Sequence, residues 1–317
     1  MYDVAALGEL LIDFTCLSTD TDGYPTMAAH PGGAPANYLA ALTKFGAKTA
    51  MIGKVGNDAF GRLLIKTLKG AGIDTRGMLV SDDVFTTLAF VTLDDSGNRE
   101  FSFARKPGAD TQLRFDEIDL GVIDASKVLH FGTLSMTNEP ARDATYKAVE
   151  YAAGRGKLIS FDPNLRKPLW NDLDEAKRQM LWGLRHADVV KISDEETEFL
   201  FSLAPEESAK HIINSFGVRL VYVTCGAEGC FYRTKTASGF VKALSGIAVK
   251  DTTGAGDIFG GSAMYGLLRA GGVPEKLTAE ELKEIVSFAC ASAGLSTTRA
   301  GGISSVAELG EVEAAMR

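Results

Sequence analysis

The run Asp251-Thr252-Thr253-Gly254-Ala255-Gly256-Asp257 is the stretch of the chain richest in chemistry, and a helical pattern from residue 255 to about 269 follows it. Gly254 and Gly256 let the backbone turn tightly and come close to a ligand. The first N–H groups of a helix have no intrahelical partner, so a loop of this kind at a helix start can bind phosphate. Asp257 is out of place in a purely anion-binding loop. One reading is helix stabilisation, since a carboxylate in the first turn complements the helix dipole. The other starts from repulsion. A carboxylate beside a bound phosphate makes better sense as the base that takes a proton from an attacking hydroxyl. A second segment, Gly32-Gly33-Ala34-Pro35-Ala36-Asn37, also leads into a helix. Pro35 suits a first turn, and Asn37 offers donors and an acceptor to a polyol. There is no G-x-x-x-x-G-K-S/T loop. Gly254-x-Gly256 continues into Asp257, Ile258 and Phe259 without the further glycine of a dinucleotide fingerprint, which removes support for hydride transfer through that motif.

These segments need a scaffold, and the rest of the chain supplies its pattern. Short apolar runs at 4–7, 50–53, 128–131, 158–162, 189–192 and 220–224 alternate with helical stretches. Residues 36–45 form one such stretch, stopped by Gly46. Residues 59–71 form another, with Phe60, Leu63, Leu64, Thr67 and Leu68 on one face and Gly72 beyond. Pro140 opens a third and Gly154 ends it. The alternation predicts an α/β fold with a doubly wound, mostly parallel sheet flanked by helices, with ligands at the C-terminal strand edge. Two stretches break the rhythm. Residues 86–93 and 99–105 alternate with period two about a turn at 94–98, a hairpin that sets Phe101, Phe103 and Arg105 on one face. Residues 12–30 are also non-helical. We expect one domain over 1–317, with a small β lid from about 12–30 and 85–106; the competing reading makes these edge strands of the main sheet.

Composition narrows the classes. The 317 residues are 45% hydrophobic and 23% charged with a net charge of −8, which excludes disorder and disfavours a general nucleic-acid binder. No apolar run approaches the roughly 20 residues of a membrane helix, and the start of the chain lacks a signal-peptide pattern. Cys16, Cys225, Cys230 and Cys290 are scattered, with no C-x-x-C and no H-E-x-x-H. Reduced thiols in a cytoplasmic protein are the expectation.

Together, the Asp251–Asp257 run with its helix and the Gly32-Gly33-x-x-x-Asn37 segment resemble the paired signatures of the ribokinase-like (PfkB-type) carbohydrate kinases, in the right order across the whole chain. The resemblance implies a doubly wound α/β body with a β lid. It implies Asp257 as general base and the amides of Gly254, Ala255 and Gly256 as an anion hole for the transferred phosphoryl group. Asp13, Gly32, Gly33 and Asn37 would bind the sugar. Thr224, Gly226 and Gly229 resemble the family's strand-end loop beside the nucleotide, and the helix near 290–296 would line the adenine pocket. Ser193-Asp194-Glu195-Glu196 stands where many relatives have Asn-x-x-Glu. Glu196 then corresponds to the glutamate that orients Mg2+ through water, and Ser193 takes the asparagine's place beside the nucleotide. The same four residues also read as a capping box. Asp251 and the backbone of Thr253 match the family's monovalent-cation site, with further ligands around 298–305, so K+ accompanies ATP and Mg2+ among the implied cofactors.

Two segments bear on the sugar. Residues 97–110 resemble the lid strand and loop of fructokinases, and Asp162-Pro163-Asn164-Leu165-Arg166 resembles their D-P-N-x-R segment. Arg105, on the lid face with Phe103, would hydrogen-bond the sugar, and Arg166 would meet phosphate or sugar; for either arginine the plain alternative is a solvated charge. The expected activity is transfer of the γ-phosphate of MgATP to the 6-hydroxyl of D-fructose. The neighbouring alternative is 2-keto-3-deoxygluconate, whose carboxylate Arg105 would pair. An alternative of another class is a non-catalytic sugar- or nucleotide-binding regulator, against which the intact Asp257 and glycine nest count. A lid with an aromatic face would leave apolar area uncovered, so a homodimer joined through the lid is expected.

Overall fold

The computed structural model describes residues 1–93 and 99–317. The turn expected at 94–98 and the side chain of Phe101 lie outside the described residues. In chain order the strands are β1 (Tyr2–Leu7), β2 (Leu11–Thr19), β3 (Pro25–Gly32), β4 (Thr49–Gly56), β5 (Asp74–Ser81), β6 (Leu88–Leu93) and β7 (Arg99–Ala104). They continue as β8 (Ser126–Gly132), β9 (Leu158–Asp162), β10 (Val189–Ser193), β11 (Leu220–Thr224), β12 (Gly229–Arg233) and β13 (Ser238–Lys242). The helices are α1 (Ala34–Lys44), α2 (Ala59–Gly70), α3 (Leu120–Asp124), α4 (Ala141–Gly154) and α5 (Leu173–His186). After them come α6 (Asp194–Phe201), α7 (Pro205–Phe216), α8 (Ala255–Arg269), α9 (Ala279–Ser296) and α10 (Leu309–Ala315).

Nine strands form one sheet in the order β13-β12-β11-β10-β9-β8-β1-β4-β5. All its pairings are parallel except β11–β12 and β12–β13. Its two faces carry separate cores, and β1 shows why the strands read as unbroken apolar runs. Val4 and Ala6 join one core with α1, α8 and α9; Ala5 and Leu7 join the other with α3 and α4. Both faces are buried, so each strand side chain is under the same demand. Burying a leucine such as Leu39 or Leu42 of α1, both fully buried, contributes roughly 1.5–3 kcal/mol.

The four strands that broke the rhythm form a sheet of their own, β3-β2-β6-β7. This overturns the reading that made them edge strands of the main sheet. β2 pairs with β6 in parallel and with β3 in antiparallel fashion, and β6 and β7 form the hairpin. Phe14 of β2 stacks on Phe90 of β6 and meets the edge of Phe60 on α2, tying this sheet to the body. Helix α2 begins where Asp58 accepts hydrogen bonds from the N–H groups of Phe60 and Gly61 at 2.9 Å each. Its buried line is narrower than its pattern suggests. Leu64 and Leu68 are buried, but Leu63 is 38% exposed, because the small sheet covers only part of the helix. Among the described residues no helix is long and apolar enough to cross a membrane, and all four cysteines are free thiols.

Candidate active site

Helix α8 starts where the sequence indicates, with Gly254 at φ 75°, ψ −1° as its N-cap. That left-handed conformation suits glycine. A methyl group there would also lie 3.0 Å from Asn37 Nδ2 and 3.0 Å from the Cα of Gly302. Gly254, Ala255 and Gly256 face a cleft of about 1140 Å³ at the C-terminal edge of the sheet. One turn in, the buried carboxylate of Asp257 accepts a 2.9 Å hydrogen bond from Asn37 Nδ2 on α1. The two glycine-led helices thus meet through their functional residues, 220 positions apart in sequence. Burial raises the pKa of Asp257; the Asn37 bond and the charges of Lys191 and Arg166 oppose the rise, and Glu196 adds to it. A carboxylate so raised is a stronger proton acceptor than one in water.

The other residues around Asp257 come from the small sheet and its junctions. Asp13 lies on β2, two residues after Leu11, and its carboxylate touches Gly32: a methyl at Gly32 would lie 2.2 Å from Asp13 Oδ2. Burial pushes Asp13 up to about 6; Arg166 pulls it down, while Asp257 and Asp251 push it further. Gly33 caps α1 without a side chain. In its place the buried Glu9 accepts the Ala34 N–H at 2.8 Å, and burial pushes the Glu9 carboxyl up to about 7. Phe103 sits opposite Ala89 in the small sheet.

Arg105 departs from the expected picture. It lies just past β7 and is almost wholly buried. Its Nε donates to Asp110 Oδ2 at 2.8 Å, and its terminal nitrogens reach Thr137 Oγ1 at 2.7 Å and the Leu134 carbonyl at 2.8 Å. Thr87 completes the cluster by a hydrogen bond to Asp110. The expectation that Arg105 projects from a lid face for a sugar gives way to an anchor that fastens the end of the small sheet to the turn after β8. The guanidinium requires a buried partner, and Asp110 supplies it.

On the opposite side the cleft is lined by Arg166, Ser193, Glu196, Thr224, Gly226 and Gly229, with Cys290, Ala293, Gly294 and Thr297 of the α9 region behind them. The capping box is present: Ser193 Oγ accepts the Glu196 N–H at 3.2 Å, and Glu196 Oε2 accepts the Ser193 N–H at 2.8 Å. Glu196 Oε1 also accepts the Leu165 N–H at 2.7 Å, which braces the segment carrying Arg166. Thr224 Oγ1 bonds the Ile192 carbonyl at 3.4 Å. Asp251 holds its own turn through Thr253 N at 2.9 Å and Thr253 Oγ1 at 2.7 Å, and holds the Gly301 N–H at 3.0 Å. Among the described residues no group of three His, Cys, Asp or Glu is arranged to hold a metal.

A family comparison decides what this arrangement belongs to: the model of the pfkB family carbohydrate kinases matches residues 1–309. The chain belongs to that family. A probable fructokinase-4 of Arabidopsis thaliana is 40% identical to this kinase over 318 residues, covering 99% of this chain and 96% of the relative. Among solved structures, a Xylella fastidiosa fructokinase with bound ATP superposes with a TM-score of 0.91 at 29% identity, covering 100% of this chain and 98% of that one. A Vibrio cholerae O395 fructokinase with fructose, ADP and calcium gives 0.88 at 31% identity, with 100% and 99% coverage. Three more residues of the kinase lie here: Lys191, which sequence reading passed over, and Asp162 and Asn164 of the D-P-N-x-R segment, which it gave no role of their own. Lys191 and Asp162 form a buried ion pair at 3.1 Å. Asn164, also buried, lines the cleft in a left-handed conformation at φ 46°. The signal for Lys191 was present: a charged residue inside the apolar strand Val189–Ser193.

Proposed function

We propose that this ATP-dependent carbohydrate kinase transfers the γ-phosphoryl group of MgATP to the 6-hydroxyl of D-fructose. The observation that carries the reading is the buried Asp257–Asn37 pair at the N-terminus of α8, with Asp13 on one side and the long cleft on the other. Fructose lies between Asp13, Gly32 and Asn37, with its 6-hydroxyl at Asp257. The nucleotide occupies the cleft from Thr224 and Gly226 to the glycines of α8. The hydroxyl oxygen attacks the γ-phosphorus in line and its proton passes to Asp257, while the bond to the β-phosphate oxygen breaks and leaves ADP. The amides of Gly254, Ala255 and Gly256 stabilise the charge on the transferring group. Magnesium, when bound with the phosphates, neutralises part of that charge; Glu196 keeps lone pairs free for a water of its shell. Asp251 and the turn it closes would hold K+ beside the anion hole. The small sheet acts as a lid that excludes water.

The names of the relatives favour fructose. The burial of Arg105 weighs the same way, because Asp110 already occupies the guanidinium that could have met the carboxylate of 2-keto-3-deoxygluconate. The test is ADP release at fixed MgATP with fructose, 2-keto-3-deoxygluconate, ribose, glucose or adenosine, beside a sugar-free control. Fructose is expected to give the fastest turnover. Turnover led by the keto acid would reassign the substrate, and nucleotide binding without turnover on any of them would favour a binding protein.

A further inference from the structure

Lys191 lies on the floor of the cleft, on the strand that ends at Ser193. A methyl group at Gly256 would lie 2.9 Å from its Nζ, so the ammonium sits against the backbone that forms the anion hole. Its side chain is 12% exposed, and Asp162 Oδ2, at the end of the neighbouring strand β9, is its ion-pair partner at 3.1 Å. An ammonium has three N–H donors. Asp162 takes one; Glu196 and Asp257 act on the charge through space, and Lys191 lines the cleft where a ligand oxygen could take another donor. A buried charge with unused donors is unfavourable unless an acceptor completes it. Burial alone would lower the Lys191 pKa, but the charges of Asp162, Glu196 and Asp257 outweigh it and the net shift is upward. Behind the pair, Tyr38, His130, Ser160 and Tyr222 close a void of about 10 Å³. Tyr38 and His130 stack at 3.7 Å, and His130 Nδ1 lies 3.0 Å from Ser160 Oγ. The ion pair is therefore backed by packed side chains, and the ammonium lies beside Gly256 at the cleft.

We propose that Lys191 is a further catalytic residue, donating from its ammonium to the phosphoryl group in transfer at the Gly256 end of the anion hole, with Asp162 as the positioning residue that aims it. This rests on the phosphoryl-transfer reading above and deepens it. The lysine keeps its proton throughout. The proton of the sugar hydroxyl still goes to Asp257, and the electron pair of the broken bond leaves with ADP. Lys191 adds a fixed positive charge where negative charge is redistributed.

The competing account makes Lys191 only the counter-ion of Asp162. Two variants separate them. Lys191→Met is expected to lower kcat about 100-fold or more, the effect of losing one preorganised donor, with the fructose KM and MgADP affinity by calorimetry changed less than about threefold. The double variant Lys191→Met with Asp162→Asn removes both buried charges together and is expected to stay as slow as the single one. Lys191→Arg is expected to recover at least about a tenth of the rate. As a readout apart from turnover, fluoroaluminate with MgADP and fructose should raise the thermal midpoint of the wild type and not that of either Lys191→Met variant. Recovery of kcat in the double variant, or an unchanged fluoroaluminate response, would overturn the inference. Should Lys191→Met alone fail to fold, the double variant still decides. A wild type without sugar-dependent ADP release would instead overturn the kinase reading itself, and the fluoroaluminate measurement tells the two failures apart.

Discussion

Asp13→Asn should stabilise the free protein while it disables the enzyme. Asp13 is half-buried beside Gly32, and its pKa is raised from an ordinary 3.8 to about 6, by loss of solvent first and by Asp257 and Asp251 after it, against the pull of Arg166. The folded chain holds this proton more tightly than the unfolded chain. The stabilisation is therefore full below pH 3.8 and lost as pH rises through about 6. Above both values the ionised carboxylate costs roughly 3 kcal/mol, taking about 1.4 kcal/mol per tenfold change in proton affinity. Asparagine keeps the shape and removes the charge. Its advantage over the wild type should grow from about 1 kcal/mol near pH 4.5 to about 3 kcal/mol near pH 7.5. Urea titrations of both proteins without ligands, at several pH values between those limits, measure it. The same variant should raise the fructose KM about 10- to 100-fold, the loss of a charged acceptor for a sugar hydroxyl. A stability difference flat with pH, or a less stable variant at every pH, would refute the reasoning.

Asp257→Asn is expected to lower kcat by at least ~100-fold, the low end of general-base effects, with the fructose KM little changed. In the wild type, kcat/KM should fall with acid at a pH above that of an ordinary carboxylate, because Asp257 is raised and must be unprotonated to act; a pH–rate profile checks the sign. Arg105→Met strands Asp110 without its counter-ion and should cost about 3–5 kcal/mol in denaturant titrations. Asp110→Asn in the same chain should restore part of that loss, whereas a mere sugar-ligand role would raise KM and leave stability alone. Light scattering at micromolar protein with fructose is expected to give a homodimer joined through the small sheet, and a strictly monomeric mass would refute it.

The body of the fold was legible because its strands are covered on both faces. Leu158–Asp162 and Leu220–Thr224 are mostly apolar, with polar residues chiefly at their ends, so their positions follow from composition without knowledge of partners. β5, β12 and β13 were not seen. β13 alternates exposed and half-buried residues along Ser238–Lys242, and β5 carries Asp74, Thr75 and Arg76 at its start, so neither presents the continuous apolar run of a central strand. The exposure of Leu63 has a related reason: a helical face is wider than the surface available to cover it, and only the tertiary contact determines how much is buried.

The site divides along the same line. Residues whose roles follow from local backbone, such as the glycines of α8 and the capping box at Ser193, could be read from adjacent positions. Residues whose roles depend on distant partners could not. Arg105 finds Thr137 and Leu134 some 30 positions away, and Lys191 finds Asp162 on another strand; periodicity gives a face and never names the group opposite. What these long-range pairs have in common is charge balance. Asp13, Asp162, Glu196 and Asp257 act on one another through space, with Arg166 and Lys191 as the opposing cations. Such a crowd of carboxylates works against the free fold, since burial favours their neutral forms. A tightly packed, neutral pocket would be more stable and would neither orient a sugar nor accept its proton. The half-buried cations oppose the rise in pKa at Asp13, Asp162 and Asp257, and they also face the place where phosphate would enter. The same two charges would then offset carboxylates before the nucleotide binds and phosphate after it.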